Sequence, residues 1–140
     1  MKNLSIAAMS MILVLAVSML AGNYSRKGGR SMGIMVIVAY RPLPGKEQQL
    51  LELTKRHLPV LRGEGLATDR PPYAMRAGDG TIVEVFEWKS KEALESAHRN
   101  AAVQEMWKHY QEACEYVPLS SLNECQGMFA GFEPIELPAN

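Results

Sequence analysis

The sequence predicts one α+β domain whose elements run in the order β-α-β-β-α-β, and three observations carry that prediction. An apolar, β-branched run at 34–40 precedes a stripe of apolar residues at helical spacing over 50–61. Asp79-Gly80 separates two short strand-like segments, the pattern of a hairpin. A second helical stripe then runs from Ala93 to Cys114.

Ile34 to Tyr40, IMVIVAY, stops at Arg-Pro-Leu-Pro-Gly, so a strand buried on both faces and then a turn are expected. Beyond Lys46, positions Leu50, Leu53, Thr54, His57, Leu58 and Leu61 share one helical face, with Thr54 and His57 its semi-polar members. Pro59 has no N–H for the carbonyl of residue 55, which predicts a kink or break, and Gly63 and Gly65 close the helix. Pro71-Pro72 opens a strand from Tyr73 to Ala77, and the next strand runs from Thr81 to Trp88. Read as a two-residue type I′ turn, Asp79-Gly80 sets Ala77 opposite Ile82, Met75 opposite Glu84 and Tyr73 opposite Phe86. On that register Tyr73, Met75, Ile82, Glu84, Phe86 and Trp88 share a face, and Ala74, Arg76, Val83, Val85 and Glu87 share the other. Ser90 is suited to cap the second helix, and Asn100 to divide it. Gln126 to Ile135 is expected as the last strand, with Gly127 and Gly131 at bulges. The order is that of the ferredoxin-like split unit, a four-stranded antiparallel sheet with both helices on one face. Val, Ile and Ala also alternate onto the other face, and no third helix is expected to cover it. A second copy packed sheet to sheet across a two-fold axis is the economical cover, which predicts an obligate homodimer.

The chain carries 15 Lys and Arg against 15 Asp and Glu, unevenly placed. Residues 1–32 hold Lys2, Arg26, Lys27 and Arg30 and no acid, which leaves 11 bases and 15 acids in the rest, a charge of about −4. An anionic domain without a basic, aromatic-interleaved patch is a poor partner for nucleic acid. Residues 4–22, LSIAAMSMILVLAVSMLAG, are uncharged behind Lys2. At about 1.5 Å per residue these 19 residues nearly span a hydrocarbon core of roughly 30 Å. Residues 1–31 thus read as a secretory signal, a retained membrane anchor, or the product of a gene start placed upstream of Met32, and the folded domain as 32–140. The first two readings put the protein outside the cytoplasm or on a membrane, and the third in the cytoplasm. Cys114 and Cys125 are the only cysteines, too few for a disulfide framework or a paired-cysteine metal site.

The segments MVIVAYRPLPGKEQQLLEL, VEVFEWKSKEALESAH and AAVQEMW together resemble the antibiotic biosynthesis monooxygenase (ABM) superfamily of dimeric α/β barrels, over about 33–135. The most specific piece is Trp88 at a strand end, followed by Glu92 and His98. The resemblance implies a fold more firmly than a reaction. The family includes oxygenases of phenolic compounds that use no metal or flavin, haem-degrading enzymes, quinone-handling proteins and members without known activity. The haem-degrading pattern is not reproduced: the first strand has no Asn, and Trp107 and His109 do not fall at the expected spacing. Of the Asn, Trp and Arg set of the polyketide oxygenases, Trp88 and Arg76 are present, on opposite faces in the register above.

The family architecture implies a pocket for a small apolar or aromatic metabolite between sheet and helices. Tyr73, Met75, Phe86 and Trp88 are the expected wall, with Tyr40 at its mouth. Glu84 is the odd member of that wall. A carboxylate desolvated by aromatic neighbours is a strong proton acceptor, suited to deprotonating a phenol or enol, and the resulting carbanion can react with oxygen directly. His98, on the following helix, is the expected proton partner of Glu84. His57 and His109 lie on different helices without an acid at metal-ligand spacing, so no metal site is expected. Three alternatives stay open: a non-catalytic dimer that binds a metabolite through the same pocket, a haem-degrading enzyme despite the departures above, and an interaction module whose space beneath the helices is filled.

Overall fold

The computed structural model describes residues 33–139, so the expected signal, anchor and Met32 start lie outside the described residues. Strand β1, Ile34–Pro42, is followed by helix α1, Glu47–Gly63, and by strands β2, Tyr73–Arg76, and β3, Ile82–Trp88. Helices α2, Lys91–Ala97, and α3, Ala101–Ala113, lead into strand β4, Cys114–Val117, then two 3-10 turns, Leu119–Ser121 and Asn123–Gln126, and strand β5, Glu133–Ile135. The strands form one antiparallel sheet in the order β4-β1-β3-β2-β5. The described chain is thus α+β, with a five-stranded sheet and three α-helices. Among these residues no helix is long and apolar enough to cross a membrane.

Local chemistry explains most boundaries. α1 ends where Gly65 turns to φ +71 and the N–H groups of Leu66 and Gly65 reach back to Leu61 O and Arg62 O, at 2.8 and 2.9 Å. Pro59 does not break it: the helix runs unbroken from Glu47 to Gly63. Ser90 caps α2 by accepting from Ala93 N at 3.1 Å, that helix stops at Ala97 with His98 as its C-cap, and Asn100 caps α3 by accepting from Val103 N at 3.0 Å.

Three sequence expectations are corrected. The hairpin loop has three residues, not two: Gly80 N donates to Ala77 O at 3.0 Å, Gly80 takes φ +89, and Ala77 N bonds Thr81 O at 2.8 Å. Asp79 Oδ1 tightens the loop by accepting from Thr81 N at 2.9 Å. A type I turn followed by a left-handed glycine adds a residue, and each extra residue turns the strand over. The register is therefore Tyr73 with Val85, Ala74 with Glu84, Met75 with Val83 and Arg76 with Ile82. Second, the strand beside β1 is Cys114–Val117, not 126–135; only 133–135 of that stretch is strand, and it lies on the opposite edge, against β2. β4 follows α3 without a loop, Cys114 passing straight to extended backbone at φ −153 and ψ 170. No turn residue marks the change in the sequence.

Third, β1 is not buried on both faces. Tyr40 is 2 % exposed toward the helices, whereas Met35 and Ile37 on the other side are 51 % and 55 % exposed. Half of that outer face is covered by the chain itself. Ala39, Ala77 and Val83 pack there with Leu122, supported by Met75, Val117, Leu119, Cys125 and Phe132. The open half carries Met35, Ile37 and Tyr73.

Candidate active site beneath helix α1

β3 places Ile82, Glu84, Phe86 and Trp88 on one face of the sheet, and β1 adds Val36, Val38 and Tyr40 beside them. Glu84 is the single carboxylate in this set and has no exposed surface. Ordered burial of a charge requires partners. Its Oε2 accepts from the Tyr40 hydroxyl at 2.9 Å and lies 2.8 Å from His57 Nδ1, which comes down from α1. With Glu84 ionised, Nδ1–H is the second donor. Among the described residues its Oε1 has no hydrogen-bond partner.

Aromatic rings surround the triad. Tyr40 lies 4.9 Å from Tyr110 and 5.3 Å from Tyr116, and His57 stands edge-on to Phe86 at 5.1 Å and Tyr110 at 5.6 Å between centroids. Phe86 in turn contacts Trp88 at 5.4 Å. Burial, and then the neighbouring Glu84 charge, hold the Tyr40 phenol well above its ordinary pKa. Burial raises Tyr110 and Tyr116 in the same way. Tyr40 is thereby kept as a hydrogen-bond donor rather than a base.

A cavity of about 420 Å³ adjoins this cluster. Its walls are Thr54, Lys55, Leu58, Pro59 and Arg62 of α1, Asp69 and Pro72 of the following loop, and Leu137 to Ala139, with Glu84 the one sheet residue among them. The volume falls in the roughly 300–1,000 Å³ range of small-molecule sites. Glu84 contributes to this wall although it has no exposed surface.

The structure brings together only part of the expected site. Glu84, Phe86, Trp88 and Tyr40 share the helix-covered face, with Tyr40 inside the cluster and not at a mouth. Tyr73 and Met75 do not join them. The three-residue loop turns both to the outer face, where Tyr73 is 68 % exposed and Met75 packs toward Leu122. The same shift moves Arg76 onto the face of Trp88, correcting their expected separation. His98 is not the partner of Glu84: it follows α2 with its ring against Trp107 at 5.0 Å, and burial followed by Arg99 lowers its pKa. His57 takes that place. Its signal in the sequence is its position inside the apolar stripe of α1, where a polar residue needs a polar partner.

His109 lies between Glu105 and Glu112 on the exposed side of α3, each at 3.5 Å. Among the described residues no three His, Cys, Asp or Glu side chains gather as a metal site. Cys114 and Cys125 are both free thiols, and burial, followed by the Glu115 charge, pushes Cys114 up to about 12. No family model, curated protein or solved structure matches the chain.

Proposed function

We propose that the protein is an ABM-like, ferredoxin-like α/β barrel that oxygenates a small phenolic, quinone-related or polyketide-like aromatic metabolite without metal or flavin, and that it works as a homodimer. The observation that carries this reading is Glu84: a fully buried carboxylate, bonded to His57 and Tyr40 through one oxygen and unpartnered at the other, beside a cavity of ring-accommodating size. A burial so unfavourable by itself is a feature of sites where proton transfer is needed.

The chemistry follows from the donors and acceptors present. A phenol or enol entering from the cavity meets the free Oε1 with its O–H or acidic C–H, and Glu84 accepts the proton. His57 and Tyr40 hold the carboxylate in place through Oε2. The carbanion, freed of its proton, gives electrons to dioxygen and forms a carbon-oxygen bond. One oxygen atom remains as a carbonyl and the other leaves as water, so that a CH₂ group and O₂ become C=O and H₂O. Leu58, Pro59, Pro72 and Leu137 give the cavity wall its apolar part beside the intermediate.

Oxygen uptake by the full chain over a panel of anthrones, naphthols and dihydroxynaphthalenes tests the reading. Turnover of at least one is expected, reduced at least a hundredfold in Glu84→Gln, since positioned general bases contribute about 10² to 10⁴ in rate. His57→Gln should lose less. Full turnover in Glu84→Gln would remove the proposed base, and binding without any turnover in the wild type would make the protein a metabolite binder.

A further inference from the structure

The walls of the cavity beneath α1 differ in how firmly they are held. One is α1 itself, a helix of 17 residues. A second, at Asp69 and Pro72, is tied down beside Asp69: Thr68 N donates to Glu87 O at 3.0 Å, and Arg62 donates to the Thr68 and Arg70 carbonyls at 3.0 and 2.9 Å. The third is Leu137, Pro138 and Ala139. That stretch hangs from β5, which pairs with β2 over three residues at the sheet edge, and Pro134 in its middle has no N–H to add to the pairing. Among the described residues, 136–139 gain no backbone hydrogen bond outside it. Leu137 is half-buried, whereas Glu136, Pro138 and Ala139 are exposed, so the hold of this segment on the cavity is chiefly one apolar side chain. A wall with few buried contacts and few backbone bonds opens at a lower free-energy cost than one held at several points.

We propose that residues 136–139 form a strap, latched by Leu137, that swings away on β5 to admit a ligand to the cavity and closes over it afterwards. The proposal rests on the pocket reading given above and adds the route by which the ligand enters. Closed, the strap shields that side of the bound ligand from bulk water, the service that a lid gives to a reactive intermediate.

The test combines backbone hydrogen exchange of the full chain with stopped-flow binding of 1-naphthol under anaerobic conditions, in wild type, Leu137→Gly and a deletion of residues 136–140. In the free wild type the N–H groups of Glu136, Leu137 and Ala139 should exchange within seconds while those in the middle of α1 stay protected, and saturating 1-naphthol should slow the first set. Both variants should raise the association rate constant at least about fivefold, because binding that waits on a conformational change is slow and removing the strap removes the wait. Losing a mere wall contact would speed dissociation alone. An unchanged association rate in both variants, or strap N–H groups as protected as those of α1 in the free protein, overturns the strap. If 1-naphthol still binds and Glu84→Gln weakens it, either of those results leaves the pocket standing. Absence of 1-naphthol binding in wild type and both strap variants, or equal binding by Glu84→Gln, overturns the pocket reading and the strap with it.

Discussion

Removing Glu84 from water costs several kcal/mol unless its oxygens are bonded, and both donors to Oε2 come from elements distant in sequence, Tyr40 on β1 and His57 on α1. Tyr40→Phe deletes a hydrogen bond to a charged group and should lower stability by about 1.5–3 kcal/mol in denaturant titration; an unchanged midpoint would mean that the bond does not contribute. Two buried tyrosines, Tyr40 and Tyr110, and the half-buried Tyr116 give a pH signature. Tyr40, Tyr110 and Tyr116 are each raised in the folded state, first by desolvation. A raised folded pKa gives a contribution that is full below the unfolded value, about 10, and is lost above it. Stability should therefore fall as pH rises beyond about 10, and the tyrosinate absorbance of these residues should appear together with unfolding; ionisation of all three in a folded protein would contradict their placement. At this scale Glu84 was legible, as the one carboxylate on an aromatic strand face. Its partner was not: a histidine three turns into a helix has no sequence relation to a glutamate on a later strand, and His98 is nearer in the chain only.

The hairpin shows how one residue decides a face. Asp-Gly predicts a turn correctly but not its length, and the left-handed Gly80 converts two residues to three, exchanging Tyr73 and Met75 for Ala74 and Arg76 beside Glu84. Gly80→Ala places a Cβ at φ +89 and should cost about 1–2 kcal/mol, read as a lower denaturation midpoint; a neutral effect would show that the loop takes another conformation. The helix ends were readable because their chemistry is local. Ser90→Ala and Asn100→Ala each remove a cap and should cost about 1 kcal/mol. β4 was unreadable for the opposite reason, since Cys-Glu-Tyr-Val follows α3 with no punctuation, and its strand state is set by pairing with Ala39 to Pro42.

For the whole molecule, the α+β order and the layer of helices over one sheet face were readable from periodicity, whereas the cover of the other face was not. The sequence offered no third helix, and the two 3-10 turns at 119–126, which do cover half of that face, have no periodic pattern to find. The half that stays open, with Met35, Ile37 and Tyr73, is the surface on which the proposed dimer forms. Sedimentation should show a dimer for the full chain and a folded monomer for Met35→Lys with Ile37→Lys; a wild-type monomer would contradict the dimer without touching the pocket. The central claim is that the space beneath α1 is a ligand site ending on Glu84. A crystal structure of the full chain soaked with 1-naphthol tests it most directly. The ring should lie between α1, the 69–72 loop and residues 137–139, its hydroxyl within hydrogen-bond distance of Glu84 Oε1, with His57 and Tyr40 still on Oε2. Naphthol bound elsewhere, or Glu84 turned to solvent away from His57, would contradict it.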